Sequence, residues 1–566
     1  MGDGKPSTPG AAHTAIREAR EADVAAILAI FAEAYGKDYP YAGFTDEDWM
    51  KRAIFNDDML MLVAEDAASG DILGTASVVF DIGANSDLIG EMGRLVVSKA
   101  ARGRGIGTQL MAGRIERIRE RLHLAVVENR TPHPFSQRIS LDFDFAPIGF
   151  LPLKRRFERR ESIALFARHF GDALDLRRNN PRIVPEAQAL AHLVHDNCGL
   201  PRDLVIDEDD PPYPDMDEFE IRNLTSEGLP ALLRIERGRL RRREVFGPVR
   251  LQYGFFKLAA KHASYLIATP TGPADRRPIA GAVGFIHDEF EQSLRVFELI
   301  ASDERSIRFL LKQLLARCRE ALGVEYVEID VSAHAPRMQR TLVELGFLPI
   351  AYVPAMVFHR VERLDVIKMA RLLIPPEFGD MNLTPGAQTI ADLVMRELRQ
   401  QAVLPEVEAA LHRLDLLRGL SQEQTRRVAA ACLVERFEDG QALLESGKQA
   451  ERVFVLISGE VSVLKGSPPS EVGRVKPGES LGEIALLTRQ PHSATARAHG
   501  PVQAATLSRK GFESLSRQRP DIATILLRNL AVGLGAKLQR INEAIHSEDM
   551  DARQTAAELD PLGGPD

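Results

Sequence analysis

The chain has 566 residues, 45% of them hydrophobic, which is enough for about three or four domains with large apolar cores. Its formal net charge of −8 excludes a positive field that would draw the whole molecule to nucleic acid or to an anionic membrane. The 3 cysteines are far apart, so we expect no disulfide framework and no metal site. Since no apolar run reaches membrane-spanning length and no secretory signal is visible, we expect a cytoplasmic protein.

The first 12 residues are polar and predict a disordered N-terminus, and residues 13–165 then alternate between helical and strand patterns. Apolar residues at helical spacing predict a helix over 21–35. Apolar runs predict strands over 60–65, 73–80, 89–97 and 124–127. This order predicts an α/β (α+β) fold, in which a mixed sheet carries helices on both faces.

A glycine-rich turn joins the strand 89–97 to a helix predicted over 109–121, and it is the most informative segment of the chain. Its residues are Arg102, Gly103, Arg104, Gly105, Ile106, Gly107 and Thr108. Glycines let a phosphate approach the main chain, and the following helix offers its free N–H groups and positive dipole end. The turn fits neither of two other phosphate-binding motifs. A P-loop would need a lysine after the last glycine, where this chain has Thr108, and a dinucleotide-binding fold would place the turn after its first strand, whereas several predicted strands precede this one.

The spacing of Arg102, Gly105 and Gly107 resembles the coenzyme A site of the GNAT superfamily of N-acetyltransferases. The resemblance implies that acetyl-CoA binds with its pyrophosphate on residues 102–108. It also implies that backbone groups of Leu95 and Val97 hold the pantetheine arm and the acetyl carbonyl. The alternative is a structural strand-to-helix turn that binds nothing.

Acetyl transfer to an amine needs a base, because only the neutral amine attacks a thioester. Glu91, on the strand that leads to the turn, is the candidate base, and a glutamate on a solvated strand face is the alternative. A tyrosine often protonates the departing thiolate in this family, but residues 133–149 contain none. Ser136 or a water molecule would serve instead. His133 could also act, although a solvated or structural histidine is the more ordinary reading.

The chain repeats itself after about 200 residues, which indicates two similar units with trailing helical pieces. Gly149-Phe150-Leu151-Pro152 returns as Gly346-Phe347-Leu348-Pro349, and the segment with Gln137 returns around Gln339. We expect a second, degenerate GNAT-like domain over 217–362, with helical linkers over 166–216 and 363–413. Its turn has no glycine and contains Asp303 and Glu304, which would repel a pyrophosphate, so the copy would be structural or would position substrate.

Residues 414–546 contain short strands separated by glycines, a pattern that predicts a β-roll flanked by helices. This region resembles the cyclic nucleotide-binding domain family, and a segment over 478–495 resembles the phosphate-binding cassette of that family. The resemblance implies a site for a cyclic nucleotide such as cAMP, formed by Gly482, Glu483, Ile484, Ala485, His492, Ser493 and Ala494. His492 replaces the arginine that pairs with the phosphate in the family, so a module without nucleotide, used for interaction or dimerisation, is the alternative.

An amphipathic pattern over 522–545 predicts a long helix through which two copies could form a homodimer, and residues 547–566 predict a disordered tail. No DNA-reading element follows the helix, so a transcription factor is not expected. We therefore predict an acyltransferase that moves acetyl from acetyl-CoA to an amine, which by analogy could be a protein lysine, under control of the C-terminal domain. The alternatives are a small-molecule acetyltransferase with an acceptor pocket lined by Tyr35, Tyr39, Tyr41 and Trp49, and a scaffold without catalysis.

Overall fold

The computed structural model describes residues 14–36, 39, 42–80, 87–157, 159–224, 244–247, 263–271, 278–411, 417–421, 424–425, 428–429, 432–449, 452–483, 490–529 and 531–532. They belong to two compact units, residues 1–397 and 398–566. The predicted disordered ends 1–12 and 547–566, Tyr41, and most of the predicted helix 522–545 lie outside the described residues. Within the described part of the chain, no helix is both long and apolar enough to cross a membrane.

The first half of the first unit is a mixed sheet with helices on both faces, as the sequence predicts. Its elements are β1 Thr14–Glu18, α1 Val24–Tyr35, α2 Glu47–Ile54, β2 Met59–Asp66, β3 Ile72–Val79, β4 Ile89–Val97, α3 Ile106–Ile118, β5 Leu124–Arg130, α4 Phe135–Asp142, β6 Ala146–Arg156 and β7 Arg160–His169. The strand order is β1-β2-β3-β4-β5-β7-β6, and among these described strands only β4 and β5 run parallel. Alternate residues of β2 face opposite ways: Leu60 and Leu62 pack in the α3 core, whereas Met61 and Val63 pack in the α1 core.

The second half repeats this order in reverse along the same sheet. Along the chain, the two halves are connected by β8 Arg182–Ile183, α5 Pro185–Asn197 and β9 Val205–Ile206. The second half contains β10 Phe219–Asn223, β11 Val245–Phe246, β12 Ala263–Pro270, β13 Gly281–Asp288, β14 Ser293–Ala301, α6 Arg305–Glu320, β15 Tyr326–Ser332, α7 Pro336–Glu344, β16 Leu348–His359 and β17 Glu362–Leu372. The order from the junction outwards is β6-β16-β17-β15-β14-β13-β12-β10.

The junction between the halves is one close pairing of β6 with β16. Gly149 lies opposite Ala351. A Cβ at Gly149 would lie 2.1 Å from the Cβ of Ala351, so this position admits only glycine at the present strand spacing. Gly149 thus has a packing reason at the centre of the sheet, where the two halves merge into one layer.

Two of the predicted domain boundaries fall inside strands of this structure. The boundary after residue 165 falls inside β7, and the predicted linker 363–413 begins inside β17, the second strand of the second half counted from the junction. β17 was missed because Arg363, Asp365 and Lys368 interrupt its apolar pattern, although all of them are buried and bonded inside the protein. The predicted linker 166–216 contains the helix α5 together with the short strands β8 and β9.

The second unit is a β-roll. The helix α8 Pro385–Leu411 crosses the division between the units, and it is followed by β18 Leu433–Phe437, β19 Ala442–Leu444, β20 Arg452–Lys465, β21 Ser470–Val475, β22 Ser480–Leu481, β23 Thr495–Ser508 and α9 Arg509–Gln518. The long strands β20 and β23 pair with register shifts around Gly459. This glycine has φ +82°, and a Cβ there would lie 2.5 Å from the carbonyl oxygen of Pro501. The strand pair therefore bends at this point.

Candidate functional site

The strands β4 and β5 form a wedge. They pair in parallel only from Ile89 to Glu91 on β4, opposite Leu124 to Val126 on β5, and then diverge. On the other side of β4 the register with β3 shifts, which leaves a bulge at Arg94 with φ +54°. A bulge bends its strand and increases the local twist, which separates β4 from β5 and opens the sheet.

A cavity of about 930 Å³ lies in this wedge. Of the residues that the sequence predicts to hold acetyl-CoA or to act as base, those that line it are Glu91, Leu95, Val97, Arg102, Gly103, Gly105, Ile106, Gly107 and Thr108. Arg104 does not line the cavity. Its guanidinium lies 3.4 Å from the carboxylate of Asp66, and this ion pair competes with its predicted pyrophosphate contact, which stays a prediction.

The turn exposes the first main-chain N–H groups of α3 to the cavity. Gly105 caps the helix with φ +75°, and the first helical hydrogen bond runs from Gln109 to the Gly105 carbonyl oxygen at 3.1 Å. The N–H groups of residues 106–108 therefore precede the helical ladder and form an anion cradle. A Cβ at Gly103 or Gly105 would meet no protein atom within 4 Å. Glycine is therefore favoured at these positions by the positive φ, and the space beside them is open.

Arg102 is the cation available at this cradle. Its side chain is exposed and lines the cavity, and its guanidinium has no hydrogen bond or ion pair to the residues that the structure describes. An exposed guanidinium keeps its full set of donors for an anionic ligand. Of the two arginines of the turn, Arg102 lines the cavity and Arg104 does not.

Glu91 lies on the cavity wall beside the bulge, with its side chain 20% exposed and its Oε1 3.6 Å from Nη2 of Arg94. A fully buried arginine on α3, Arg114, supports the bulge by donating to the carbonyl oxygens of Ser77 and Gly93, at 3.2 Å each. Burial, together with the charge of Arg94, lowers the pKa of Arg114 to about 9. Sequence reasoning missed Arg114, although a charge on the apolar face of an amphipathic helix was a usable signal.

Asn129 on β5 is a second residue that the sequence analysis missed. It is buried, lines the cavity, and its Nδ2 donates to Oγ of Ser140 at 3.1 Å. Its Oδ1 accepts no hydrogen bond from any described residue. A buried acceptor without a partner costs free energy unless a ligand or water supplies a donor, so this oxygen is available to accept a hydrogen bond from either.

Glu128, next to Asn129, brings a partly buried carboxylate to the cavity. Burial alone would raise its pKa, but Arg155 and Lys154 outweigh that effect and hold the pKa well below its usual range. Nζ of Lys154 and Nη2 of Arg155 both lie 2.7 Å from its oxygens. Glu128 is therefore a fixed negative charge and a poor proton acceptor.

The remaining candidates divide between the cavity and its surroundings. His133, Ser136, Tyr35 and Tyr39 line the cavity, whereas Trp49 does not. Burial raises the pKa of Tyr35, partly offset by Arg130, so its hydroxyl stays protonated at neutral pH. Trp49 instead packs on Phe44, with ring centroids 5.2 Å apart.

In the second half, the corresponding wedge is filled by the chain itself. The parallel pairing of β14 with β15 covers only Ser293 to Val296 on β14, and β11 pairs with β15. Next to β11, a Cβ at Gly247 would lie 2.3 Å from Cα of Phe297. At the turn before α6, the carboxylate of Asp303 accepts from the N–H of Arg305 at 3.0 Å. The protein's own groups thus fill the space and cap the helix.

In the second unit, the predicted nucleotide cassette is described in part. Ile484 and Ala485 lie outside the described residues, Gly482 has φ +87°, and Glu483 accepts from Oγ of Ser480 at 2.7 Å. Ser493 is exposed and Ala494 partly so. Burial lowers the pKa of His492, so this imidazole is more neutral at pH 7 than a free histidine and does not replace an arginine cation.

Comparisons with known proteins match both regions. Residues 24–135 match the model of the acetyltransferase (GNAT) family, and residues 434–519 match that of the cyclic nucleotide-binding domain. The chain therefore carries a GNAT acetyltransferase domain and a C-terminal cyclic nucleotide-binding domain, as the sequence motifs predict. These matches do not extend over the second half of the first unit, whose likeness to the first half rests on strand order and on the sequence repeat.

Among curated proteins, the cAMP-dependent protein kinase regulatory subunit of Mucor circinelloides f. lusitanicus is 34% identical over 171 residues, which is 27% of this chain. The chain spans 39% of the length of that relative. Among solved structures, a cyclic nucleotide-binding domain from Methylobacillus flagellatus KT is 23% identical, with a TM-score of 0.24 over 26% of this chain and 84% of that one. The N-terminal domain of a transcriptional regulator from Streptomyces coelicolor A3(2) is 28% identical, with a TM-score of 0.22 over 24% and 96%.

Proposed function

We propose that the first half of the first unit is an N-acetyltransferase that takes acetyl from acetyl-CoA and transfers it to an amine. The observation that carries this proposal is the open wedge, whose wall combines a helix N-terminus, the exposed Arg102 and the unpartnered Oδ1 of Asn129. Arg102 and the N–H groups of residues 106–108 would hold the pyrophosphate. Asn129 Oδ1 would accept from an amide N–H of the pantetheine arm.

Acetyl-CoA supplies an acetyl thioester at this site, and the protein supplies positioning and proton transfer. Glu91 accepts a proton from the acceptor ammonium, which frees the nitrogen lone pair to form the new C–N bond as the C–S bond breaks. Main-chain groups of Leu95 and Val97 hold the acetyl carbonyl and the pantetheine arm. Ser136 or a water molecule donates a proton to the departing sulfur and recovers one from the nitrogen of the new amide.

The acceptor that we propose first is a lysine side chain on another protein. Phe135, which lines the cavity, is 68% exposed and offers an apolar contact that a protein surface could cover. The second candidate is a small-molecule amine, and Tyr35 and Tyr39 on the cavity wall favour it. Turnover assays with lysine peptides and with a panel of small amines distinguish the two classes.

Calorimetric titration with acetyl-CoA tests the cofactor site. We expect Gly105→Glu to abolish binding, because it places a side chain and a negative charge in the open space at the cradle. Gly70→Glu is the matched control: Gly70 has φ +77° against +75° at Gly105, and a Cβ would meet no atom within 4 Å at either position. Gly70 does not line the cavity. Unchanged binding in Gly105→Glu would refute the assigned site.

We further propose that a cyclic nucleotide binds the C-terminal domain and regulates transfer. Two observations support this proposal: residues 434–519 match the cyclic nucleotide-binding family, and Gly482, at φ +87°, and Glu483 lie within the matched region. The neutral His492 implies weaker binding than an arginine would give. Calorimetry with cAMP, followed by turnover with and without cAMP, tests binding and regulation separately. Absence of both heat and rate change would leave the domain as an interaction module.

A further inference from the structure

In the first unit, the chain segment that follows each half packs on the other half. The segment after β7 is held by the second half, where Oε1 of Gln339 accepts from the N–H of Val184 at 3.0 Å. The segment after β17 is held by the first half, where Oε1 of Gln137 accepts from the N–H of Thr384 at 3.0 Å. Both glutamines are fully buried and occupy matching positions of the sequence repeat.

Gln137 also binds the loop 130–133 that borders the cavity. Its Nε2 lies 3.1 Å from the carbonyl oxygen of Asn382 and 3.4 Å from those of Arg130 and His133. The N–H of Asn382 in turn donates to the carbonyl oxygen of Thr131 at 2.7 Å. One buried side-chain amide thus joins a segment of the second half to a wall of the cavity in the first half.

The exchanged segment is closely packed against the first half. Ala387 belongs to the hydrophobic core of the first half, and Leu383 packs against that core. A Cβ at Gly379 would lie 2.9 Å from Cζ of Arg159, and one at Gly386 would lie 3.0 Å from Cγ of Pro147. The segment therefore occupies a defined path across the first half.

We propose that Gln137 is a positioning residue for acetyl transfer and that residues 382–384 complete the active site from the second half. The inference rests on the proposed acetyltransferase function. Arg130, His133 and Ser136 line the cavity on either side of the Gln137 contacts, so the amide fixes the backbone from which they project. The second half, whose own wedge is filled, contributes to the reaction through this exchanged segment.

The pair Gln137→Ala and Gln339→Ala in the full chain tests the proposal. Each variant removes a buried amide of the same kind, so both should lower the melting temperature by similar amounts. Only Gln137→Ala should lower kcat, on the order of tenfold, because it releases the loop beside the reacting groups. The affinity for acetyl-CoA should stay unchanged in both, since the cradle 102–108 keeps its contacts.

Hydrogen exchange in the absence of acetyl-CoA gives a readout that does not depend on activity. Gln137→Ala should speed amide exchange over residues 130–142, whereas Gln339→Ala should speed it over 332–344 and leave 130–142 protected. A third variant, Asn382→Pro, removes the N–H that bonds Thr131 and changes only the exchanged segment. It should reproduce both the loss of kcat and the faster exchange over 130–142.

Equal kcat values for the two glutamine variants would overturn the proposal, as would undisturbed exchange over 130–142 in Gln137→Ala. Either result leaves the acetyltransferase assignment intact if the wild-type protein binds and turns over acetyl-CoA. A wild-type protein that neither binds nor turns over acetyl-CoA would overturn both proposals together.

Discussion

Arg94 lies in the left-handed region of backbone conformation within β4, with φ +54°, and its Nη2 lies 3.6 Å from Oε1 of Glu91. The bulge that turns β4 away from β5 thus also brings a cation beside the candidate base. Non-glycine residues rarely adopt this conformation, and such strain is often found at functional sites.

Glu91→Gln should lower kcat by roughly a hundredfold, since the amide keeps the shape of the side chain but accepts no proton from the acceptor. Acetyl-CoA affinity, measured by calorimetry, should stay the same. Glu298→Gln is the control, because Glu298 is the buried glutamate on the equivalent strand and bonds to the Tyr265 hydroxyl at 2.8 Å. Full activity in Glu91→Gln would assign the base elsewhere.

Arg102→Ala should weaken acetyl-CoA binding by roughly tenfold, because it removes the cation at the cradle. Arg104→Ala should weaken binding less, since that guanidinium lies 3.4 Å from Asp66 and does not line the cavity. Titrations at two salt concentrations should show a smaller salt dependence for Arg102→Ala than for the wild-type protein. Equal losses in the two variants would contradict this division of roles.

Each chain should bind one molecule of acetyl-CoA. Gly247 and Phe297 occupy the second wedge, and Asp303 caps the helix where a pyrophosphate would lie. The stoichiometry of a calorimetric titration on the full chain measures this directly. Two equivalents per chain in the wild-type protein, falling to one in Gly105→Glu, would show that the second wedge opens.

His492→Arg should raise cAMP affinity by roughly ten- to hundredfold, because a permanent bidentate donor replaces a mostly neutral imidazole. His499→Arg adds the same charge at an exposed position outside the cassette and should change affinity little. Calorimetry on both variants separates a local phosphate contact from a general charge effect. Equal affinities in the two variants would show that position 492 does not face the phosphate.

The first unit should lose stability as the pH falls below about 6.5. Burial lowers the pKa of His169 from its ordinary value of 6.5, although its bond to Pro354 opposes the shift. Between the folded and unfolded pKa values the unfolded chain therefore binds more protons, so acid favours unfolding. The melting temperature should be lower at pH 5.5 than at pH 7.5. This difference should be smaller in His169→Gln. An identical difference in the two proteins would exclude a contribution from His169.

The sequence by itself determined those features that depend on residues close together in the chain. A turn with glycines at positive φ and a helix N-terminus is specified by Gly103, Gly105 and the apolar residues beside them, so the cradle and the GNAT resemblance could be read directly. Strand periods and glycine spacing likewise predicted the mixed sheet and the C-terminal β-roll.

The tertiary structure alone decided what depends on residues far apart in the chain. Asn129 and Arg114 take their places in the wedge and at the bulge, and Arg104 pairs with Asp66, 38 residues earlier in the chain. The exchange of segments through Gln137 and Gln339 joins residues more than 150 positions apart. Hydrogen bonds and charges act over a few ångströms in space, so only the folded chain shows which of these groups meet.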